Sequence, residues 1–279
     1  MKKLRFKPRT LDDDFVREAL CAVGTLDDVP NSKGLYFVVG GVATQSYLPS
    51  TCRRPTSDID LALLKPLSMS DFRDFSKPVV QYLSDKGFST QTKKGHQSFS
   101  LVFYKDYDKE EHDASMIEFA RKSPNCFDRV KERLERERRN ARKKIVEERD
   151  ETYVVSSPED IVIPKFVRDI GTLSRHPEFC KYIESSKPQA LTDANIRTIL
   201  ANISELREDA IAHVGDTDLT DRLRFVSDIY DSRILSEVVG FNEDYLKRAM
   251  RDWRVFYGEN PSRDLLLKYL LPEFETSVR

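Results

Sequence analysis

Apolar positions along the chain fall into short, punctuated runs in its first half and into helical stripes in its second. Leu35, Tyr36, Phe37, Val38 and Val39 form one such run, closed by Gly40 and Gly41. Arg54-Pro55-Thr56-Ser57-Asp58-Ile59-Asp60 then opens the next run, Leu61 to Leu64. This order predicts a strand, a glycine turn, a short helix and a second strand. Ahead of it, Thr10 is the expected cap of an amphipathic helix that carries Leu11, Phe15, Ala19, Leu20 and Val23 and stops at Gly24. Residues 68–86 read as a helix ending at Gly87, with Pro78 expected to kink or break it. Segments 88–92, 99–104 and 114–119 read as further strands, and 153–155 as a short one.

From Cys126 to Glu148 the pattern predicts one long charged helix. Ser157-Pro158-Glu159-Asp160 begins another, with proline in its first turn and acids at its N-terminus. Beyond Thr192 only helical periodicity remains, with caps expected at Thr192, near Asn242 and at Ser262. The aromatics there, Trp253, Phe256, Tyr257 and Tyr269, are expected in the apolar faces of these helices. The fold class predicted is α/β (α+β): a mixed sheet with flanking helices over residues 1–155, followed by a mostly helical domain over 156–279.

Composition narrows the function classes. The chain has 279 residues, 33% of them charged, and a formal net charge of -1, so any attraction to nucleic acid must come from local patches. One such patch lies between Asp128 and Lys144, where nine Lys and Arg stand against four acids. It reads either as a solvated helix with pairs such as Glu132 with Arg136, or as a rail for RNA phosphates. The four cysteines are dispersed and the basic N-terminal segment has no apolar stretch behind it, so neither a disulfide framework nor a signal peptide is expected. No run approaches the roughly 18 apolar residues of a membrane span, and a cytoplasmic location is the expectation.

Asp58 and Asp60 carry the chemistry. Two residues apart on an extended segment, their carboxylates leave one face together, an arrangement that calls for a cation between them. Mg²⁺ suits it, being a hard ion that prefers one or two carboxylates plus phosphate oxygens. Gly40 and Gly41, without Cβ atoms, let backbone N–H groups approach a phosphate closely. The four histidines show no metal-binding spacing, and no P-loop or nucleophile-elbow motif occurs.

Gly40-Gly41-Val42-Ala43 followed by Arg54-x-Thr56-x-Asp58-Ile59-Asp60 resembles the nucleotidyltransferase superfamily, and within it the AbiEii/MenT-like nucleotidyltransferase toxins. The resemblance spans about residues 35 to 175 and implies a polymerase-beta-like fold. It further implies two Mg²⁺ ions held by Asp58, Asp60 and a third carboxylate, with NTP as substrate. The family places that third group on a strand like Met116-Ile117-Glu118-Phe119, which points to Glu118, although the usual residue is Asp. Asp113 is the rival; an odd offset puts the two on opposite faces of a regular strand, so both cannot serve without a bulge. By the same resemblance Lys165, with Arg168 one turn on, is expected to face the triphosphate. Arg54 is expected to contact phosphate and Thr56 to cap or orient its loop. The implied reaction moves an NMP to an RNA hydroxyl, the 3′ end of tRNA being the leading acceptor, in a toxin countered by an antitoxin protein. Transfer to a small molecule of the aminoglycoside kind is the alternative, and a silent fold used for binding a third.

Overall fold

The computed structural model describes residues 3–96, 98–105, 111–120, 123–185 and 192–271. It divides into two compact units: residues 1–46 with 53–157, and residues 47–52 with 158–279. The excursion of Tyr47–Cys52 into the second unit is invisible to a linear boundary near residue 155.

The first unit is a mixed α/β layer built on eight strands. These are β1 (Lys3–Phe6), β2 (Tyr36–Val39), β3 (Ile59–Leu63), β4 (Phe88–Lys94), β5 (Ser98–Lys105), β6 (Glu111–Ala120), β7 (Arg142–Ile145) and β8 (Thr152–Val155). Their order is β4-β5-β6-β3-β2-β8-β7, and β1 pairs with the first half of β6. Helices α1 (Asp14–Gly24) and α3 (Met69–Asp85) cover one face. There Phe72 stacks on Phe99 at 4.5 Å and meets Phe119 edge-on at 5.0 Å, while Phe15 packs against Phe88 and Phe103. The short helix α2 (Gly40–Gln45) follows β2 directly. On the opposite face α4 (Pro124–Asn140) sets Phe127 and Leu134 against Phe37, Ala62 and Val154.

Three sequence expectations change here. Asp13, rather than Thr10, caps α1, accepting a hydrogen bond from the Phe15 N–H. Pro78 does not break α3, which runs on to Asp85 behind a capping box formed by Ser68 and Asp71. The charged run ends its helix at Asn140; Arg142, Lys143 and Lys144 lie on β7, the sheet's edge. Pairing with β8 and burial of Val146 at the hairpin outweigh the helical pattern of charges, because strand formation is decided by neighbours more than by local preference. Ion pairs within α4 include Lys131 with Glu135, Arg133 with Glu137 and Arg136 with Glu137.

The second unit is helical: α5 (Pro158–Arg175), α6 (Cys180–Ser185), α7 (Asp193–Ala212), α8 (Thr217–Val238), α9 (Glu243–Asp252) and α10 (Pro261–Leu270). Thr192, Asn242 and Asn260 cap α7, α9 and α10, so the last cap stands two residues before the expected Ser262. Its core joins Phe166, Phe225, Ile229, Leu246, Met250, Leu266 and Leu270, with Trp253, Phe256 and Tyr269 partly buried against it. Tyr257 departs from expectation, being 87% exposed. No helix among the described residues is long and apolar enough to cross a membrane.

Candidate metal and phosphate site

Register brings the carboxylates together. β3 runs parallel to β6 with Asp60 opposite Glu118, and alternation places Asp58 on the same face as Asp60. Asp58, Asp60 and Glu118 each offer an oxygen within 4.8 Å of the others, all three half-buried. Asp113 is not part of this group. It lies opposite Arg5 in the β1 pairing and accepts a 2.7 Å hydrogen bond from Lys7 Nζ, which holds its carboxyl below the usual carboxylate range. β6 shows no bulge in its register with β5, so Glu118 and Asp113 face opposite ways. Substitution should separate them: Glu118→Gln is expected to lose metal-dependent activity, while Asp113→Asn keeps near-parental turnover. A transfer assay at saturating Mg²⁺ and NTP checks this, and the reverse outcome would move the site.

The glycines are required by what stands against them. Gly40 adopts φ 70°, and a Cβ on it would run into Asp60 Oδ2. A Cβ on Gly41 would strike the Thr56 methyl and come within 3.6 Å of an Arg54 guanidinium nitrogen. The glycine turn thus packs directly under the carboxylate loop, with Arg54 at its side. That loop is braced repeatedly. Thr56 Oγ1 donates to the Asp58 carbonyl at 3.3 Å, and the Thr56 backbone exchanges both hydrogen bonds with Arg9, at 2.7 and 2.8 Å. Arg53 pairs with Asp12 and Glu147, and the Leu11 N–H donates to Gln45 of α2. Such bracing fixes the two carboxylates before any ligand arrives.

Three converging carboxylates offer only oxygen donors, the set a hard divalent cation prefers, and the absence of a Cβ on Gly40 lets the Asp60 carboxylate pack against the turn. The geometry therefore fits Mg²⁺ on Asp58, Asp60 and Glu118.

Lys165 and Arg168 belong to the second unit, where two acids absent from the sequence reading meet them. Lys165 Nζ, 4% exposed, donates to Asp228 Oδ1 at 3.0 Å and to Asp231 Oδ2 at 2.7 Å, and Arg168 forms a forked pair with Asp228. The available signal was Asp228-x-x-Asp231 on one turn of α8, amid the buried Phe225, Ile229, Ile234 and Leu235. A carboxylate pair there demands a buried cation.

Asp169 completes this cluster. It is fully buried, and neither of its oxygens has a hydrogen-bond partner among the described residues. Burial and the neighbouring charge of Asp228 push its carboxyl well above the usual range, against the opposing pull of Arg168 and Lys165. The folded chain therefore binds this proton more tightly than the unfolded one. Stability contributed here is greatest at low pH and falls as pH rises from about 4, the ordinary carboxyl value, through the raised one. Asp169→Asn is expected to flatten that decline, gaining on the parent as pH increases. Denaturant titrations at several pH values check it; parallel profiles would refute it.

No protein-family model and no curated protein matches the chain. Among solved structures, an antigenic nucleotidyltransferase-like protein from Paracoccidioides brasiliensis aligns over 98% of this chain and 94% of that chain, at 14% identity and a TM-score of 0.41. A likeness of that size transfers no residue role, so the site stands on its own geometry.

Proposed function

We propose that this protein is a Mg²⁺-dependent nucleotidyltransferase that moves an NMP from an NTP to an RNA hydroxyl. The convergence of Asp58, Asp60 and Glu118 beside the Gly40-Gly41 turn is the observation that carries the reading. Asp58, Asp60 and Glu118 would together hold the metal. Bound there, Mg²⁺ would supply charge neutralisation at phosphate and ease ionisation of the acceptor hydroxyl. The glycine turn offers backbone N–H groups, and Arg54 a fixed positive charge, to the triphosphate. The acceptor oxygen bonds to the α-phosphorus, the bond from that phosphorus to the β-phosphate oxygen breaks, and pyrophosphate leaves with those electrons. The hydroxyl proton passes to solvent by way of the half-exposed Glu118.

RNA is the acceptor favoured, with the 3′ end of tRNA first among candidates and a toxin's role, checked by an antitoxin protein, as the biological setting. The exposed Arg129, Lys131 and Arg139 of α4, with Arg142 and Lys143 of β7, support it as phosphate contacts. Lys165 and Arg168 remain proposed phosphate-facing residues. Their present carboxylate partners make a positioning role the first to test.

The deciding experiment incubates purified protein with each labelled NTP, Mg²⁺ and total RNA. Label in one RNA size class is the expected result. Absence of label in RNA, with label in a small product, would transfer the reading to a small-molecule acceptor.

A further inference from the structure

The carboxylates belong to a row that crosses the sheet. Val39 of β2 lies opposite Asp60, Asp60 opposite Glu118, Glu118 opposite Ser100 of β5, and Ser100 opposite Lys93 of β4. Residues paired in register share a face, so all five side chains rise from the same side of the sheet. Its two flanks differ. Beyond Asp60 lies the glycine turn, and there α4 covers the sheet through Phe127 and Leu134. Beyond Glu118, within this unit, lie Ser100, half-buried, and Lys93, exposed. Neither side chain has a hydrogen bond or ion pair among the described residues. On the same face, two residues before Lys93, Gln91 stands opposite the buried Val102 and its Nε2 donates to the Tyr104 hydroxyl at 3.2 Å.

This order assigns positions to two substrates, given the transfer reading above, on which the inference rests. The triphosphate takes the flank with the glycines and Arg54. The reacting end of the acceptor then approaches Glu118 from β5 and β4. Strands lie about 4.8 Å apart, so the Lys93 backbone stands roughly 10 Å from that of Glu118, and its side chain reaches an anion next to a hydroxyl at the carboxylates. A cationic acceptor would meet repulsion there, whereas a nucleic-acid strand carries phosphates at that range.

We propose that Lys93 and Ser100 form an acceptor subsite, Lys93 binding a backbone phosphate of an RNA 3′ end and Ser100 hydrogen-bonding the terminal nucleotide. The subsite selects anionic acceptors over cationic ones.

The test compares Lys93→Glu, Ser100→Ala and a matched control, Lys94→Glu, whose side chain leaves the opposite face of the same strand in register with Phe99. Fluorescence anisotropy with a labelled single-stranded oligoribonucleotide, in the presence of Mg²⁺ and a non-hydrolysable NTP, reads acceptor binding. Lys93→Glu is expected to weaken it about tenfold or more. It should also lower the salt slope by about 0.7, the loss of one single-strand phosphate contact. Ser100→Ala should weaken it severalfold, while Lys94→Glu and NTP binding stay at parental levels. Equal weakening by Lys93→Glu and Lys94→Glu would reduce the effect to net charge and overturn the subsite, as would parental affinity in Lys93→Glu. Asp58→Asn is the control on the reading itself. If it leaves Mg²⁺ and NTP binding intact, the metal site fails; if it abolishes them while Lys93→Glu changes nothing, only the acceptor subsite fails. Oligonucleotide binding by neither parent nor variants would also overturn the subsite.

Discussion

Asp58→Asn and Asp60→Asn should each reduce transfer by at least about a thousandfold, close to 4 kcal/mol of transition-state stabilisation, while the chain stays folded. Both carboxylates share one face with Glu118, and each supplies oxygen donors that no neighbouring side chain can replace. Asparagine keeps one neutral carbonyl oxygen but loses the negative charge, so the site attracts the cation less and balances its charge less well against phosphate. The effect on the apo fold runs the other way, because fewer mutually repelling charges remain at the site. Melting in EDTA is therefore expected to be unchanged or slightly raised. Melting in Mg²⁺ separates parent from variants. A ligand present at 100 times its Kd stabilises the folded state by about 2.7 kcal/mol, a gain the parent should show and the variants should lack. Near-normal turnover in either variant, or an equal Mg²⁺ shift in all three proteins, would remove this site from consideration.

The parts of this site legible in the sequence are those set by neighbours along the chain. Gly40 and Gly41 at the end of an apolar run, and Asp58 and Asp60 at alternate positions of the next, are local patterns, and local geometry puts each pair on one face. Local pattern left Glu118 and Asp113 both open, and only the family resemblance preferred Glu118. Alternation says that Glu118 and Asp113 face opposite ways, without saying which face meets Asp60. That choice is made by register between β3 and β6, fixed by contacts 58 residues apart in sequence. β1 contributes as well: its pairing with β6 brings Lys7 to Asp113. The row through Ser100 and Lys93 needs four strand pairings to be known at once, of which only the β4–β5 hairpin is local.

The misread segments have the same cause. Residues 141–146 carry helix-compatible charges, yet the partner that makes them a strand, β8, lies beyond a turn that includes Glu148 at φ 60°. Asp228 and Asp231 looked like ordinary polar positions because their partners stand more than 60 residues upstream. Caps were more legible at Thr192 and Asn242, since their hydrogen bonds close within three residues.

Lys165→Met should be the most destabilising single change in the helical unit. Lys165 Nζ lies between Asp228 and Asp231, which are 2% and 0% exposed, and Asp169 at 0% adds a third acid to the cluster. Taking the ammonium away leaves buried carboxylates opposed by Arg168 alone, and breaking a buried pair by deleting one partner typically costs about 3–5 kcal/mol. For a unit of this size the melting temperature should fall on the order of 10 °C or more. Restoring charge balance should recover much of that loss, so Lys165→Met combined with Asp231→Asn is expected to melt above the single variant, the non-additivity marking direct coupling. The same pair of variants addresses chemistry. If Lys165 only secures α5 to α8, the balanced double variant regains activity together with stability. If it also binds phosphate, stability returns while the KM for NTP stays raised, and Lys165→Arg restores affinity only where its guanidinium reaches the same oxygens. A single variant as stable as the parent would mean that the two aspartates are neutral in the folded protein, and the buried ion-pair description would fall.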